Sequence, residues 1–382
     1  MRDQGQGSIR QRGRQSWELK FDLGRDPVTG KRRIRYHSFK GTKRAAQLEL
    51  TQLLSAHAKG EYIDPSRVTT SEFLDRWERD WASINVSPKT FERYSELLRK
   101  HVRPHIGILP IQKVRPTDLN ELYAKLLRSG LAARTVGHVH RVVHRALVHA
   151  LQWSVVHRNV SDLVSPPRVA STEIELLTPA QVQIVLHTLE GRTIYPILVM
   201  ALATGMRRGE LLALRWKDVN LDGGSVQVEQ SLEQTKSGLR FKSPKTKHGR
   251  RSITLPPSAV TVLRDHWKAQ QERRLTLGMG KALDNSLVFA TWEGKPRSPS
   301  SVTKEWSLAI AATKLPRVTL HSLRHTHASH LIASGMDVLT ISRRLGHGSP
   351  TITLAVYGHL FPNTDDRAAQ IMEAALVPKS AE

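Results

Sequence analysis

The first apolar residues of the chain alternate with polar ones at the two-residue period of a β-strand. Two such runs are separated by a glycine- and proline-containing segment at 24–30, which predicts a β-hairpin. From Thr42 the apolar positions follow a helical period, and Gly60 favours a helix end. We therefore predict a small sheet backed by one helix in a first domain, residues 1–64. The pattern is defined by Trp17, Leu19 and Phe21, by Ile34 and Tyr36, and by Leu50, Leu53 and Leu54.

Residues 68–165 show only helical periods, and we predict an all-α domain of four helices there. Phe73, Trp77 and Trp81 follow one another at four-residue spacing, so they fall on one face of a helix. A core role is expected for these three aromatic rings. The serine- and proline-containing segment 165–168 is typical of a linker and ends the domain.

A third domain is predicted over residues 173–382. Segment 178–181 combines a threonine N-cap, a proline at the first helical position and a glutamine that can close a capping box. Helical periods dominate from there, with strands predicted near 225–231 and 251–255, and an amphipathic helix at 365–376. The expected fold class is therefore multi-domain and mainly α with small β-sheets, with a mixed α/β third domain.

Charge is the most informative bulk property of the chain. Lys and Arg number 58 against 34 Asp and Glu, which gives a net charge of +24. Residues 1–67 alone carry fifteen basic and seven acidic side chains. Such an excess predicts a polyanionic partner, because phosphate backbones release counterions when cations bind them.

Several classes of protein are excluded by composition. The chain has no cysteine, which excludes disulfides, thiolate metal sites and cysteine nucleophiles. No apolar run approaches the roughly 18–20 residues that cross a bilayer, and the basic N-terminus lacks the apolar segment of a secretory signal. We expect a soluble, cytoplasmic protein that associates with the nucleoid when it is bound to DNA.

Five short segments of the third domain carry side chains suited to phosphate chemistry. They are an arginine after a glycine break, a basic turn between strands, a histidine and an arginine three residues apart, a Leu-Gly-His segment, and a tyrosine ten residues beyond that histidine. Each alone has an ordinary explanation, such as a solvated hairpin tip or a half-buried packing residue. The candidates are Arg207 and Glu210, Lys245 with Lys247 as the alternative, His321 and Arg324, His347, and Tyr357.

Together and in this order, these segments resemble the tyrosine recombinase family, in particular phage lambda-like and conjugative-transposon integrases. The resemblance implies that Tyr357 is a nucleophile that forms a 3′-phosphotyrosyl bond with DNA. It also assigns catalytic roles to the other candidates, which are Arg207, Lys245, His321, Arg324 and His347, with Glu210 in a supporting role.

The same resemblance implies a division of labour along the chain. Residues 1–64 would bind arm-type DNA, residues 68–165 core-type DNA, and residues 173–382 would catalyse and carry a C-terminal assembly helix. The expected partners are double-stranded attachment sites, a homo-tetramer on paired sites, and an accessory DNA-bending protein or excisionase. Integration or excision of a mobile element is the implied function, with no metal, no other cofactor and no membrane.

The chemistry explains why these residue types are needed. Negative charge grows on the non-bridging oxygens of a phosphodiester under attack, and the fixed forks of Arg207 and Arg324 can grip them. Ionising a tyrosine with a pKa near 10 at neutral pH costs about 4 kcal/mol, which nearby cations reduce. Lys245 can protonate the leaving 5′-oxygen, while His321 can accept the tyrosine proton or orient the phosphate. His347 can donate to a phosphate oxygen.

Three alternatives remain open on the sequence. His321, His325, His327 and His330 cluster on one predicted helix and suggest a metal, although no His-Glu-x-x-His segment or convergent carboxylate accompanies them. A type IB topoisomerase would share the same catalytic groups but would relax DNA without exchanging strands. A DNA-binding regulator would use the same domains without cutting, which the complete catalytic set argues against.

Overall fold

The structure is a computed structural model that describes residues 7–25, 29–60, 62–170, 175–244, 247–361 and 365–376. The chain divides into two compact units, residues 1–170 and 171–382. Within the described ranges, no helix is both long enough and apolar enough to cross a membrane.

The first unit begins with a small antiparallel sheet covered by one helix. Its elements are β1 (Ser8–Gly13), β2 (Ser16–Arg25), β3 (Arg32–Lys40) and α1 (Lys43–Ala58). The strands lie in the order β1-β2-β3, and Leu19 and Phe21 of β2 are buried against Ala46 and Leu50 of α1. The predicted hairpin is β2 and β3, although residues 26–28 of its turn lie outside the described residues. Strand β1 escaped the sequence pattern because its sequence, SIRQRG, has a single apolar residue.

Residues 62–170 form four helical segments, as predicted. Two of them are interrupted by π-helical turns at Glu78–Ala82 and Leu98–Val102. The aromatic face is also confirmed, because Phe73 and Trp77 are buried and the Trp77 Nε1 donates a hydrogen bond to His149 Nδ1 at 2.9 Å. The helices are α2 (Thr70–Trp77) leading into α3 (Ser83–Asn85), α4 (Pro88–Leu97) leading into α5 (Arg103–Ile106), α6 (Pro116–Arg128) and α7 (Ala133–Gln152).

The second unit is a mixed α/β domain. Its first elements are α8 (Pro179–Leu189), α9 (Tyr195–Thr204), α10 (Arg208–Leu211), β4 (Val219–Asn220), β5 (Ser225–Val228), β6 (Ser231–Thr235), β7 (Gly238–Lys242) and β8 (Arg251–Thr254). The remaining ones are α11 (Pro257–Thr276), α12 (Pro299–Ala312), α13 (Ser322–Ala333), α14 (Val338–Leu345), α15 (Pro350–Tyr357) and α16 (Asp365–Leu376).

The strands of this unit pair into an antiparallel sheet, β4-β5-β8, and a hairpin, β6-β7. The single strand predicted near 225–231 is in fact divided between β5 and β6. Gln230 lies at the break, and its side-chain Nε2 donates to the Ala213 carbonyl at 2.7 Å. The segment between β7 and β8 is the predicted basic turn, of which residues 245 and 246 lie outside the described residues.

Two hydrophobic clusters hold the second unit together. The larger one joins α8–α13 to the β4-β5-β8 sheet. The smaller one packs α13, α14 and α15 through Ala328, Ile332, Ile341 and Leu345, and it includes the ring of Tyr357. The position of this tyrosine therefore depends on the packing of three helices around it.

The predicted C-terminal helix is present as α16. Its apolar side chains are not covered, because Ile371 is 60% exposed, Met372 55% and Leu376 72%. The helix thus presents unburied apolar surface beyond α15.

Candidate active site

Arg207 lies where the chain turns between two helices. Helix α9 ends at Gly205, which has a left-handed backbone with φ +63°. A Cβ at this position would lie 2.7 Å from the ring of His327, so the turn requires glycine on both counts. Arg207 then caps α10 and is tied to Glu210, with its backbone N 2.9 Å from Oε2 and its Nη1 2.8 Å from Oε1.

Glu210 is a buried carboxylate shared by two arginines. Its second partner is Arg251 of β8, whose Nη2 donates to Glu210 Oε2 at 2.9 Å. The side chains of Arg251 and Glu210 are only 7% and 5% exposed. Burial alone would raise the pKa of the Glu210 carboxyl, but Arg251 and then Arg207 outweigh it, so the pKa is lowered. The carboxylate is therefore ionised at neutral pH.

The same arginines reach the loop after α14. Arg251 Nε donates to the Arg344 carbonyl at 2.7 Å, and Arg207 Nη2 lies 3.3 Å from the Gly346 carbonyl. A continuous chain of polar contacts thus links α10, β8 and the segment that carries His347.

Arg324 is buried on α13, with 3% of its surface exposed. Its Nη1 donates to the Gly205 carbonyl at 2.7 Å, which brings it beside the turn that carries Arg207. Its Nη2 is buried without a hydrogen-bond partner among the described residues. Burial, followed by the charge of Arg207, lowers the pKa of Arg324 to about 9, so the side chain stays cationic at neutral pH. A buried cationic donor without a partner favours the binding of an anion.

His321 lies at the start of α13 and is exposed. Partial withdrawal of its ring from solvent, and then the charge of Arg324, lower its pKa. Its ring centroid lies 4.9 Å from that of His325 in an edge-on arrangement. Among the described residues, no hydrogen bond joins His321 to Tyr357.

His347 follows α14, which ends at Gly346 with φ +68°. Its Nδ1 lies 2.8 Å from the Thr353 hydroxyl of α15, which fixes the ring and leaves Nε2 for another partner. Burial and then Arg324 lower the pKa of His347 to about 4. The ring is therefore neutral near pH 7.

Tyr357 ends α15, and its side chain is 2% exposed. Its hydroxyl lies 2.7 Å from His325 Nδ1. Burial raises the pKa of Tyr357 to about 12, although Arg324 acts in the opposite direction. The expectation that nearby cations ease its ionisation is thus met only in part, because desolvation outweighs them.

The structure brings most of the candidate side chains into one region of the second unit. Hydrogen bonds connect Arg207, Glu210 and the Gly346 segment before His347, and Arg324 joins them at Gly205. Lys245 lies outside the described residues, and of Lys247 only the backbone, in a short 3-10 turn, is described. The position of the predicted lysine relative to the other groups therefore stays a prediction.

Sequence reasoning gave no site role to two residues of this region, Arg251 and His325. Arg251 lies after the basic turn, at the start of the strand predicted near 251–255, and this position was a signal that the sequence reasoning did not use. His325 was considered as part of a histidine cluster for a metal. The cluster does not converge, because His325 contacts Tyr357, while His327 contacts the Leu202 carbonyl and His330 the Leu177 carbonyl. In the described ranges, no three His, Asp or Glu side chains are arranged to hold a metal.

Comparisons with known proteins agree on one family. Residues 175–364 match the phage integrase family, and residues 69–127 match the N-terminal SAM-like domain of phage integrases. The integrase of Streptomyces ambofaciens is 31% identical, with 93% of this chain and 92% of that protein covered. The ICEBs1 integrase of Bacillus subtilis is 26% identical, with 94% and 97% covered.

Solved structures show the same fold. The Tn1549 transposon integrase in complex with transposon right end DNA has a TM-score of 0.68 at 24% identity, over 80% of this chain and 99% of that one. A lambda integrase dimer bound to a COC′ core site has a TM-score of 0.57 at 20% identity, over 91% and 92%. The chain therefore belongs to the phage integrase family and is a tyrosine-type site-specific recombinase.

Proposed function

We propose that this chain integrates and excises a mobile DNA element by cutting and rejoining DNA through a 3′-phosphotyrosyl bond to Tyr357. The observation that carries the proposal is the Nη2 of Arg324, a buried cationic donor that has no hydrogen-bond partner among the described residues and lies close enough to Arg207 for that charge to lower its pKa. A scissile phosphate supplies the anion that such a donor lacks.

The two arginines act as an electrostatic clamp on that phosphate. Arg207 is oriented by Glu210 from one side, and Arg324 by the Gly205 carbonyl from the other. Because both guanidinium groups are held before DNA arrives, little reorganisation is needed as charge develops on the phosphate oxygens. Loss of one such preorganised donor typically costs about 3–4 kcal/mol of transition-state stabilisation.

The remaining candidates supply protons and orientation. Lys245 is assigned as the acid that protonates the leaving 5′-oxygen, and the neutral His347 donates through Nε2 to a non-bridging oxygen. His321, which is exposed at the start of α13, orients the phosphate. The phosphotyrosyl bond conserves the energy of the broken phosphodiester, so religation needs no nucleotide.

We assign core-type DNA binding to residues 68–165. Arg93, Arg141 and Arg145 are exposed around an open groove, and Arg145 lies 5.7 Å from the ring of Trp81. A groove lined by arginines and an aromatic ring suits a phosphate backbone.

Residues 1–64 are assigned to a second, arm-type DNA site. The outer face of the sheet exposes Lys20 and Tyr36, which are cross-strand partners with the Lys20 Nζ 5.8 Å from the Tyr36 ring. Basic and aromatic outward positions on a small sheet suit insertion of strands into a DNA groove.

We further propose that the chain acts as a tetramer on paired sites and that α16 joins neighbouring protomers. The uncovered Ile371 and Met372 support packing in trans, since a helix packed onto its own domain would bury them.

The Tyr357→Phe variant tests the nucleophile. It removes one hydroxyl, so site binding is expected to persist while covalent complex on a nicked suicide substrate falls below detection. The wild-type complex is expected to form in EDTA and to carry a 3′-phosphate. Tyr195→Phe makes the same change elsewhere in the second unit and should leave cleavage intact. A covalent band from the Tyr357→Phe variant contradicts the assignment.

Deletion of residues 1–64 tests the second DNA site. Footprinting over the element's attachment region should lose the arm-type protection, while core-site cleavage continues. The deletion should leave the rest of the unit folded. Gln112 Nε2 loses its hydrogen bond to the Asp64 carbonyl but keeps the one to the Val155 carbonyl at 3.0 Å.

A full-length variant serves as the finer version of this test. Lys20→Gln with Tyr36→Ala alters the exposed face of the sheet and should weaken arm-site binding, whereas Leu48→Ala, at an exposed position of α1, should not. If the protein that lacks residues 1–64 recombined full attachment sites as well as the intact protein, the arm-binding role would be contradicted.

Charged substitutions in α16 test assembly. Ile371→Glu with Met372→Glu should leave single-site binding within about twofold, since both side chains are exposed, yet should abolish the paired-site complex in gel shifts. Leu308→Glu, at a 66% exposed position of α12, is the matched control. An unchanged ladder and unchanged recombination would mean that α16 does not join protomers.

A further inference from the structure

We propose that His325 is the catalytic base of strand cleavage, accepting the Tyr357 proton at Nδ1 as the tyrosine oxygen attacks the scissile phosphate. The inference rests on the function proposed above and deepens it. It gives the proton of the nucleophile a destination, for which the sequence had offered His321 as one of its two possible roles.

The geometry favours His325 over His321. His325 Nδ1 lies 2.7 Å from the Tyr357 hydroxyl, within hydrogen-bond distance of the proton that must leave. His321 lies one helical turn earlier on α13, and its ring meets the ring of His325 rather than the tyrosine. Each of the other two histidines of α13 contacts a backbone carbonyl, so neither is directed at the nucleophile.

His325 is in its neutral, proton-accepting form at neutral pH. Burial, and then the charges of His321 and Arg324, lower its pKa to about 4, so the ring is neutral near pH 7. When the ring proton is on Nε2, Nδ1 is free to accept from the tyrosine hydroxyl. The titratable and charged groups that face His325 are His321 and Arg324 on its own helix, His347 after α14, and Tyr357 on α15.

The tyrosine needs such a partner. With its pKa raised to about 12, about one hydroxyl in 10⁵ is ionised at pH 7. Attack by preformed tyrosinate would therefore be slow, whereas transfer of the proton during attack avoids that rare state. The phosphate held by the arginines also raises the proton affinity of His325, because an anion stabilises the imidazolium that forms beside Arg324.

The proton and bond changes balance. The Tyr357 oxygen forms a bond to phosphorus, and its proton moves to His325 Nδ1. The bond between phosphorus and the 5′-oxygen breaks, and this oxygen takes a proton from Lys245. Religation reverses each change: the 5′-hydroxyl attacks phosphorus, and the imidazolium of His325 returns its proton to the tyrosine oxygen.

Single-turnover cleavage by His325 variants tests the proposal. Asparagine places a polar atom near the Nδ1 position and can still bond to the tyrosine hydroxyl, but it cannot take up a proton near neutral pH. His325→Asn is therefore expected to cleave about 10²- to 10⁴-fold more slowly than wild type at pH 7. His325→Phe, which removes both functions, should be at least as slow. If His325 only positions the tyrosine, the asparagine variant should recover most of the rate, and that recovery would overturn the proposal.

A substrate with sulfur in place of the 5′-bridging oxygen separates the base from the acid, because a thiolate leaves without a proton. On this substrate Lys245→Ala should regain most of its rate, while His325→Asn should not. The residual rate of His325→Asn should rise about tenfold per pH unit from pH 7 to 9, because hydroxide must then remove the tyrosine proton. The wild-type rate should stay level over the same range. Recovery of His325→Asn on the sulfur substrate, or a level pH profile, would contradict the assignment.

Controls keep this result apart from folding and from the function as a whole. His187→Asn makes the same change at an exposed position of α8 and should match wild type. Thermal unfolding and gel shifts should show that His325→Asn is folded and binds the site. Absence of covalent complex from the wild type would refute the proposed function, whereas equal cleavage by wild type and His325→Asn would refute the role of His325 alone.

Discussion

One buried carboxylate organises the catalytic half of this protein. Glu210 binds Arg207 and Arg251 at once, and these arginines in turn contact the carbonyls of Gly346 and Arg344. Three separate parts of the chain, α10, β8 and the loop after α14, are thereby held around one negative charge. Removing one partner of a buried pair commonly costs about 3–5 kcal/mol, because the other charge stays buried without compensation.

This arrangement also depends on pH in a defined direction. The pKa of Glu210 is lowered in the folded chain, so its ionised form contributes stability above the ordinary carboxyl pKa. That contribution is lost as the pH falls through the lowered value. Neutral solution therefore leaves the arginine scaffold intact, while Tyr357 stays protonated and Arg324 Nη2 has no hydrogen-bond partner among the described residues.

Much of this could be predicted from the sequence, because the decisive signals are local. The alternation through Trp17, Leu19 and Phe21 predicted the first sheet, and the four-residue spacing of the aromatic residues predicted helix α2. The glycine break before Arg207 was also visible in the sequence, and in the structure Gly205 has a left-handed backbone with no room for a Cβ beside His327. The order of the catalytic segments predicted the family.

The rest depended on contacts between residues far apart in sequence. Arg251 meets Glu210 across 41 positions and His325 meets Tyr357 across 32, and neither separation leaves a periodic signal. Strand β1 was hidden because an edge strand with one apolar residue has no alternation to read. The raised pKa of Tyr357 could not be predicted from the sequence either, because its cause is burial. The sequence shows which cations the chain contains, but not how deeply a side chain is buried.

The central claim is that Glu210 and Arg251 act as one unit that presents Arg207 to the phosphate. A double-mutant cycle of Glu210→Gln and Arg251→Gln, read as the rate of covalent complex formation by folded, site-bound protein, tests it most directly. The account predicts that the double variant is no slower than the slower single variant, with a coupling free energy of about 0.5–3 kcal/mol. If the losses of the two single variants add up to the loss of the double variant to within about 0.5 kcal/mol, the two residues act independently, and that result would contradict the claim.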